Sequence, residues 1–302
     1  MTTGGLRAAV GRAVRRATVA PLAAAGGERL ELEIAGITIG IEGLPARAAR
    51  PLADRFGAWT ASSGNPAGLT VRTLWLPGSF RDPDLGRDEE YRLEDGRTLR
   101  GRASVAVGLP GPVIEAAVAD DPNVVGQEIE NILRLALAAR LLGGGGLLLH
   151  AGAAALGRGA VVFPAPSGTG KSTLVRELAG EGIEPLGDDM AALVLSRDQE
   201  WTVRPVPFTG EPSLRGRPAA RPLLAVHPLR RGRGPRLEPL AGAPAAAAIA
   251  GQTLGLTLFP NLAARGLATV ARLAAAVPVE SLHRGVGDDA AGLLRRRHGE
   301  AP

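Results

Sequence analysis

One residue stands out by its rarity: Lys171 is the single lysine of the 302-residue chain, in which the other basic side chains are Arg apart from four His. A compact ammonium and a planar guanidinium are not interchangeable between phosphates, so the neighbours of Lys171 decide whether its presence carries chemistry. They read Ala165-Pro166-Ser167-Gly168-Thr169-Gly170-Lys171-Ser172-Thr173. This fits the phosphate-loop pattern G-x-x-x-x-G-K-[ST] with Ala165 in place of the first Gly. Gly168 and Gly170 allow backbone angles that aim successive N–H groups at phosphate oxygens. The helix that follows adds its N-terminus. In such a loop Lys171 bridges the β- and γ-phosphates, and the Ser172 hydroxyl binds Mg²⁺. Thr173 is placed for the α-phosphate or for capping.

Two more groups could act with that loop. Asp188-Asp189 follows the next apolar run, at the strand end where α/β folds bind ligands. Two carboxylates beside a metal-bound triphosphate can divide labour, one orienting the metal and the other accepting a proton from an attacking hydroxyl. His150 ends the run Leu147-Leu148-Leu149, which should lie beside the phosphate-loop strand. A lone His in apolar company is more often a core residue than a catalyst, so the residues alone leave its role open.

Such a loop needs an apolar strand before it and a helix after it. Residues 160–164 supply the strand and 172–180 the helix. Runs at 147–156, 183–186 and 191–196 read as further buried strands. Residues 123–142 carry apolar positions at helical spacing, with Asn123 as N-cap. Ala-rich helices are expected at 242–251 and 266–276, and a late strand at 277–282. Earlier in the chain the period falls to 2. Residues 30–41 read as a hairpin, 69–75 as a strand, and 91–107 as a second hairpin around Asp95-Gly96. Residues 46–56 look helical, 78–88 form a Pro/Asp-rich loop, and 112–118 suit one more strand. The expected organisation is a flexible arm over 1–27, a β-rich domain over 28–122 and an ATP-binding α/β domain over 123–302.

Composition removes several classes. The absence of Cys excludes a disulfide scaffold, a thiolate zinc site, an iron–sulfur protein and a Cys nucleophile. No uninterrupted apolar stretch of about 18 residues is present, so no spanning helix is expected. The apolar run at 18–25 is short for a secretory signal and is broken by Pro21; the expected location is cytoplasmic. A net charge of +5 with aromatics at only 3% argues against a single-strand nucleic-acid binder.

His150-Ala151, the Pro-Ser-Gly-Thr-Gly-Lys-Ser loop and Gly187-Asp188-Asp189 together resemble the HPr kinase/phosphorylase group and its looser relatives. The spacings, 21 residues from His150 to Lys171 and 16 from Ser172 to Asp188, are similar to theirs. Glu130-Asn131 and Arg134 before the Gly-rich link look like the relatives' pattern as well. The resemblance implies a phosphoenolpyruvate-carboxykinase-like P-loop domain with a mixed sheet, preceded by a smaller β-rich domain. It also implies ATP and Mg²⁺ use with transfer to a hydroxyl. Within it Asp188 would be the proton acceptor, His150 its hydrogen-bond partner, and Asp189 would lie near the metal. Phe208-Thr-Gly-Glu-Pro-Ser-Leu stands where true HPr kinase/phosphorylases carry a further signature tied to the reverse reaction. The expected activity is therefore a kinase acting on a Ser or other hydroxyl of a protein, peptide or small molecule, with homo-oligomerisation as in the family. Two alternatives belong to other classes. One is an ATP-binding regulatory module without phosphoryl transfer. The other is an ABC-type ATPase, which lacks its Leu-Ser-Gly-Gly signature here.

Overall fold

Among the described residues, two sheets of seven and nine strands organise the chain, and alternation of apolar residues explains most of their strands. The computed structural model describes residues 27–61, 67–76, 85 and 91–299. The arm expected over 1–27, Gly27 aside, and the loop expected over 78–88, Leu85 aside, lie outside the described residues. The chain divides into two units, Met1–Ala139 and Arg140–Pro302.

In the first unit, β1 (Glu28–Ile34) and β2 (Ile37–Leu44) form the hairpin that the period-2 pattern predicts, with Leu32 opposite Ile39. Helix α1 (Ala46–Phe56) then leads to β3 (Leu69–Leu76), which pairs parallel to β2. Strands β4 (Tyr91–Glu94), β5 (Thr98–Gly101), β6 (Ser104–Val107) and β7 (Val113–Ala119) complete the sheet in the order β1-β2-β3-β7-β6-β5-β4. Leu32, Ile34, Ile39, Ile41, Leu69, Val71 and Ile114 are fully buried on its apolar side. Helix α2 (Val125–Gly144) starts two residues later than the sequence suggests. Asn123 does not cap it from the chain's own pattern: its side-chain and backbone nitrogens both donate to Asp121 Oδ1 at 2.9 Å. The division between units falls inside α2, whereas the sequence sets it before the helix, at 122/123.

The second unit is a mixed sheet with helices. Strand β8 (Leu147–Leu156) is ten residues long and takes different neighbours along its length. Its first part pairs with β11 (Met190–Leu195), and its second with β9 (Gly159–Pro164) and with the short β10 (Pro185–Gly187). The sheet continues from β11 through β12 (Trp201–Pro205) to β13 (Arg221–Val226), which pairs parallel to β9. The pairings thus run from β8 round to β9 and back to β8. Beyond them lie β14 (Leu229–Arg231), β15 (Arg236–Leu240) and β16 (Val279–Arg284). Helix α3 (Lys171–Gly180) sends Leu174, Val175 and Leu178 into a core with Val161 and Phe163. Helices α4 (Gly242–Ala250), α5 (Pro260–Ala276) and α6 (Ala290–His298) complete the unit, α6 adding Ala290, Ala291 and Leu294 to that core. No helix among the described residues is long and apolar enough to cross a membrane.

Candidate functional site

A strand, a Gly-rich turn and a helix surround Lys171. Strand β9 is wholly buried and delivers the chain to Ala165. The turn then reverses through Gly168 at φ 74° and Gly170 at φ 109°, angles that a side chain disfavours. Neither glycine has another group within 4 Å of the position a Cβ would take, so backbone angle and not space selects Gly here. Pro166, Ser167 and Gly168 are exposed, Thr169 and Gly170 half-buried, and α3 begins at Lys171 with Ser172 and Thr173 in its first turn.

Lys171 is 6% exposed and crosses the turn from within: its Nζ donates to the carbonyls of Ala165 at 2.9 Å and Pro166 at 3.2 Å. Burial pushes the ammonium below the ordinary lysine value of 10.5, and the charges of Asp189 and Asp188 oppose that shift. The lysine and both carboxylates, separated by 17 and 18 residues in sequence, therefore share one electrostatic environment.

The carboxylates occupy the junction of β10 and β11, and they differ. Asp188 is 1% exposed. Its Oδ1 accepts the backbone N–H of Gly210 at 2.9 Å and of Glu211 at 3.4 Å, while Oδ2 is buried with no hydrogen-bond partner among the described residues. A Cβ at Gly210 would stand 3.0 Å from that Oδ2, so the loop approaches the carboxylate more closely than a side chain at 210 would allow without a small shift. Asp189 is about a quarter exposed, and its Oδ1 lies 3.3 Å from His150 Nε2.

Two sequence expectations need correction. His150 does not end its strand, since β8 continues to Leu156; it sits opposite Met190, at the point where β8 passes from β11 to β9. Its carboxylate partner is Asp189 and not Asp188, because Asp188 turns inward to the amides at 210 and 211. The sequence alone assigns no role to the 208–214 segment. Glu211 also holds Arg176 of α3, with Nε donating to Oε2 at 3.2 Å. On the outer side of the turn, Arg231 of β14 donates through Nη2 to the Gly168 carbonyl. Nothing in the spacing marks either contact; the one available signal was a Gly-acid pair following an apolar run.

The other His residues are elsewhere. His227 is buried, with its Nδ1 3.1 Å from the Glu280 carbonyl and its Nε2 3.0 Å from His298 Nε2. Burial drives its pKa down from 6.5 to about 3. His283 pairs with Glu238 at 2.9 Å. Glu130 and Arg134, picked out by the resemblance, form a structural cluster in the first unit. The Glu130 carboxylate is buried and receives Arg134 Nη2 at 2.7 Å and Arg55 Nε at 3.0 Å.

No cluster of three or more His, Asp or Glu among the described residues could hold a metal by itself. Two carboxylates and the Ser172 hydroxyl do suit Mg²⁺, which typically takes one or two carboxylates and completes its shell with phosphates and water. The unpartnered Asp188 Oδ2 is consistent with such a cation. Compared with known proteins, the chain matches no family model and no curated protein.

Proposed function

We propose that the chain is an ATP- and Mg²⁺-dependent kinase of the HPr-kinase-like type, transferring phosphate to a Ser or other hydroxyl of a protein, peptide or small molecule. On this reading the second unit is the phosphoenolpyruvate-carboxykinase-like P-loop domain, and the β-rich first unit precedes it. The observation that carries the reading is the sole lysine, buried in a Gly-rich strand-to-helix turn and within the field of two adjacent carboxylates. A structural turn needs no buried ammonium; a triphosphate does.

The residues divide the work as follows. Backbone N–H groups of 167–172 hold the phosphates, and Lys171 exchanges its two carbonyl partners for phosphate oxygens. Mg²⁺, held by Ser172 and the unpartnered Oδ2 of Asp188, would neutralise charge on the triphosphate. Asp189 accepts the proton of the attacking hydroxyl, because it is the carboxylate a substrate can reach, and His150 steers it. Asp188 anchors the 210–211 backbone against the site. A second reading keeps Asp188 as the proton acceptor, favoured by its unpartnered Oδ2. It requires the 209–211 loop to open first.

The test uses the full chain, Mg²⁺, γ-labelled ATP and a library of Ser-containing peptides. Label is expected on peptide with the unaltered chain and is absent with Lys171→Ala. ATP binding with neither transfer nor hydrolysis would favour the regulatory module instead. Failure to bind ATP would refute both.

A further inference from the structure

A recess of about 460 Å³ opens beside the Gly-rich turn. One wall is the turn itself, with Thr169 and Thr173; the other is formed by Leu229, Arg231, Arg284 and Val286, with glycines between them. Phosphates lying along the turn from Lys171 towards Thr173 lead to its mouth. The volume falls within the usual range for small-molecule sites.

Three features of the lining are poorly explained by folding alone. Val286 is 87% exposed, more than the other exposed large hydrophobic residues, Val113 at 40% and Leu267 at 52%. It faces the recess instead of the core. Arg284 is held firmly from behind, by an ion pair to Glu177 at 2.6 Å and by donation to the Gly285 carbonyl at 2.8 Å. Arg231 is exposed and reaches across to the Gly168 carbonyl, joining the two walls. Apolar side chains and planar guanidiniums are the groups on which a flat aromatic base packs.

We propose that this recess holds the base and ribose of the nucleotide and accepts adenine and guanine nucleotides alike. The inference rests on the phosphate-binding reading above. Its specific content comes from the side chains of the lining. Arg231 and Arg284 only donate hydrogen bonds, the two Thr hydroxyls lie on the phosphate wall, and the lining includes no carboxylate or carboxamide. Purine N7 accepts from a guanidinium in either base. Sites that discriminate strongly do so by leaving buried polar groups unpaired with the wrong ligand; here the buried lining nitrogen without a hydrogen bond, Arg284 Nη2, is a donor that N7 of either base can meet. ATP and GTP should therefore differ by about tenfold or less in affinity.

The experiment has two arms on the full chain. In the first, 8-azido-ATP is photolysed and the labelled peptide mapped. Label is expected within 229–232 or 284–286, with GTP protecting at concentrations within roughly tenfold of those of ATP. In the second, calorimetry compares ATP with inorganic tripolyphosphate for the unaltered chain and for Val286→Ser, whose folding is checked by melting. The variant should weaken ATP roughly three- to tenfold and leave tripolyphosphate unchanged, since only the nucleoside meets Val286. Label mapping elsewhere, or equal effects on both ligands, would overturn the recess assignment. GTP failing to protect at a hundredfold excess would overturn the shared-purine claim. Failure of tripolyphosphate and ATP alike to bind would instead remove the phosphate-binding reading beneath it.

Discussion

Replacing Asp189 by Asn separates the two carboxylates most sharply when Asp188→Asn is measured alongside it. Asp189 is about a quarter exposed, and His150 Nε2 approaches its Oδ1 to 3.3 Å. An amide keeps the shape and cannot take a proton. Removal of a general base lowers turnover by about 10²–10⁴, equivalent to roughly 2.7–5.4 kcal/mol of activation free energy. Stability should change by no more than about 0.5 kcal/mol, as for other partly exposed positions. Asp188→Asn is different. The amide oxygen can still accept from Gly210 and Glu211, but the NH₂ then falls where Oδ2 is buried without a partner. A buried unsatisfied donor costs about 1–3 kcal/mol, which should lower the melting temperature by several degrees in a domain of this size.

The assay is single-turnover hydrolysis of γ-labelled ATP, with water in the place of the acceptor, corrected for the folded fraction by calorimetry. Loss of turnover at an unchanged melting temperature is expected for Asp189→Asn. The reasoning is refuted if Asp189→Asn hydrolyses ATP normally while Asp188→Asn loses a hundredfold or more per folded molecule. That result would return the proton to Asp188 and make the 209–211 loop a moving part.

Four further outcomes are expected. Lys171→Arg should bind and hydrolyse ATP on the order of 10²–10³-fold less well, because the larger guanidinium does not fit a position 6% exposed; unchanged turnover would dismiss the phosphate loop. His150→Gln should lower turnover about 10- to 100-fold through misplacement of Asp189, whereas a melting shift with normal turnover would leave His150 as a packing residue. His227 titrates at about 3 in the folded chain against 6.5 unfolded, so its contribution is present above pH 6.5 and is lost as pH falls towards 3. The slope is at most about 1.4 kcal/mol per pH unit, and His227→Phe should flatten that part of the stability profile measured by urea unfolding. Glu130→Ala should destabilise the first unit by about 1–3 kcal/mol, since it removes the buried carboxylate that Arg55 and Arg134 share; a change below about 0.5 kcal/mol in chemical denaturation would show the cluster to be dispensable.

Strands and helices were legible where a single period governs burial. Leu30, Leu32 and Ile34 alternate inward on β1, and their partners Ile37, Ile39 and Ile41 give the hairpin away. Strand β8 was harder, because an unbroken apolar run carries no period and hides a change of partner. The run Leu147–Leu149 pairs with β11, and from Ala151 onwards the same strand pairs with β9. His150 sits at that change, where nothing in the sequence marks that the strand runs on. Helix α5 begins six residues before the expected start at 266, since Pro260 occupies its first turn, where a missing N–H costs nothing. The polar contacts around the site were not legible at all. Hydrogen bonds from residues 210 and 211 to Asp188 span more than twenty positions and use backbone N–H groups, which every residue but Pro possesses.

That backbone contact bears on how the carboxylates divide their labour. Arg176 projects from α3, the helix that begins at Lys171, and holds Glu211. Glu211 in turn brings its own N–H and that of Gly210 onto Asp188 Oδ1. The phosphate-side helix and the first carboxylate are thus tied through one short loop. Any movement of α3 on phosphate binding would be felt at Asp188 through that tie, and Gly210 sets how closely the loop can approach. Gly210→Ala would push a methyl to 3.0 Å from Oδ2, forcing the loop to give by a few tenths of an ångström. The same tie leaves Asp189 outside the loop's cover and beside His150. A hydroxyl arriving from solvent therefore meets Asp189 first, whichever acceptor carries it.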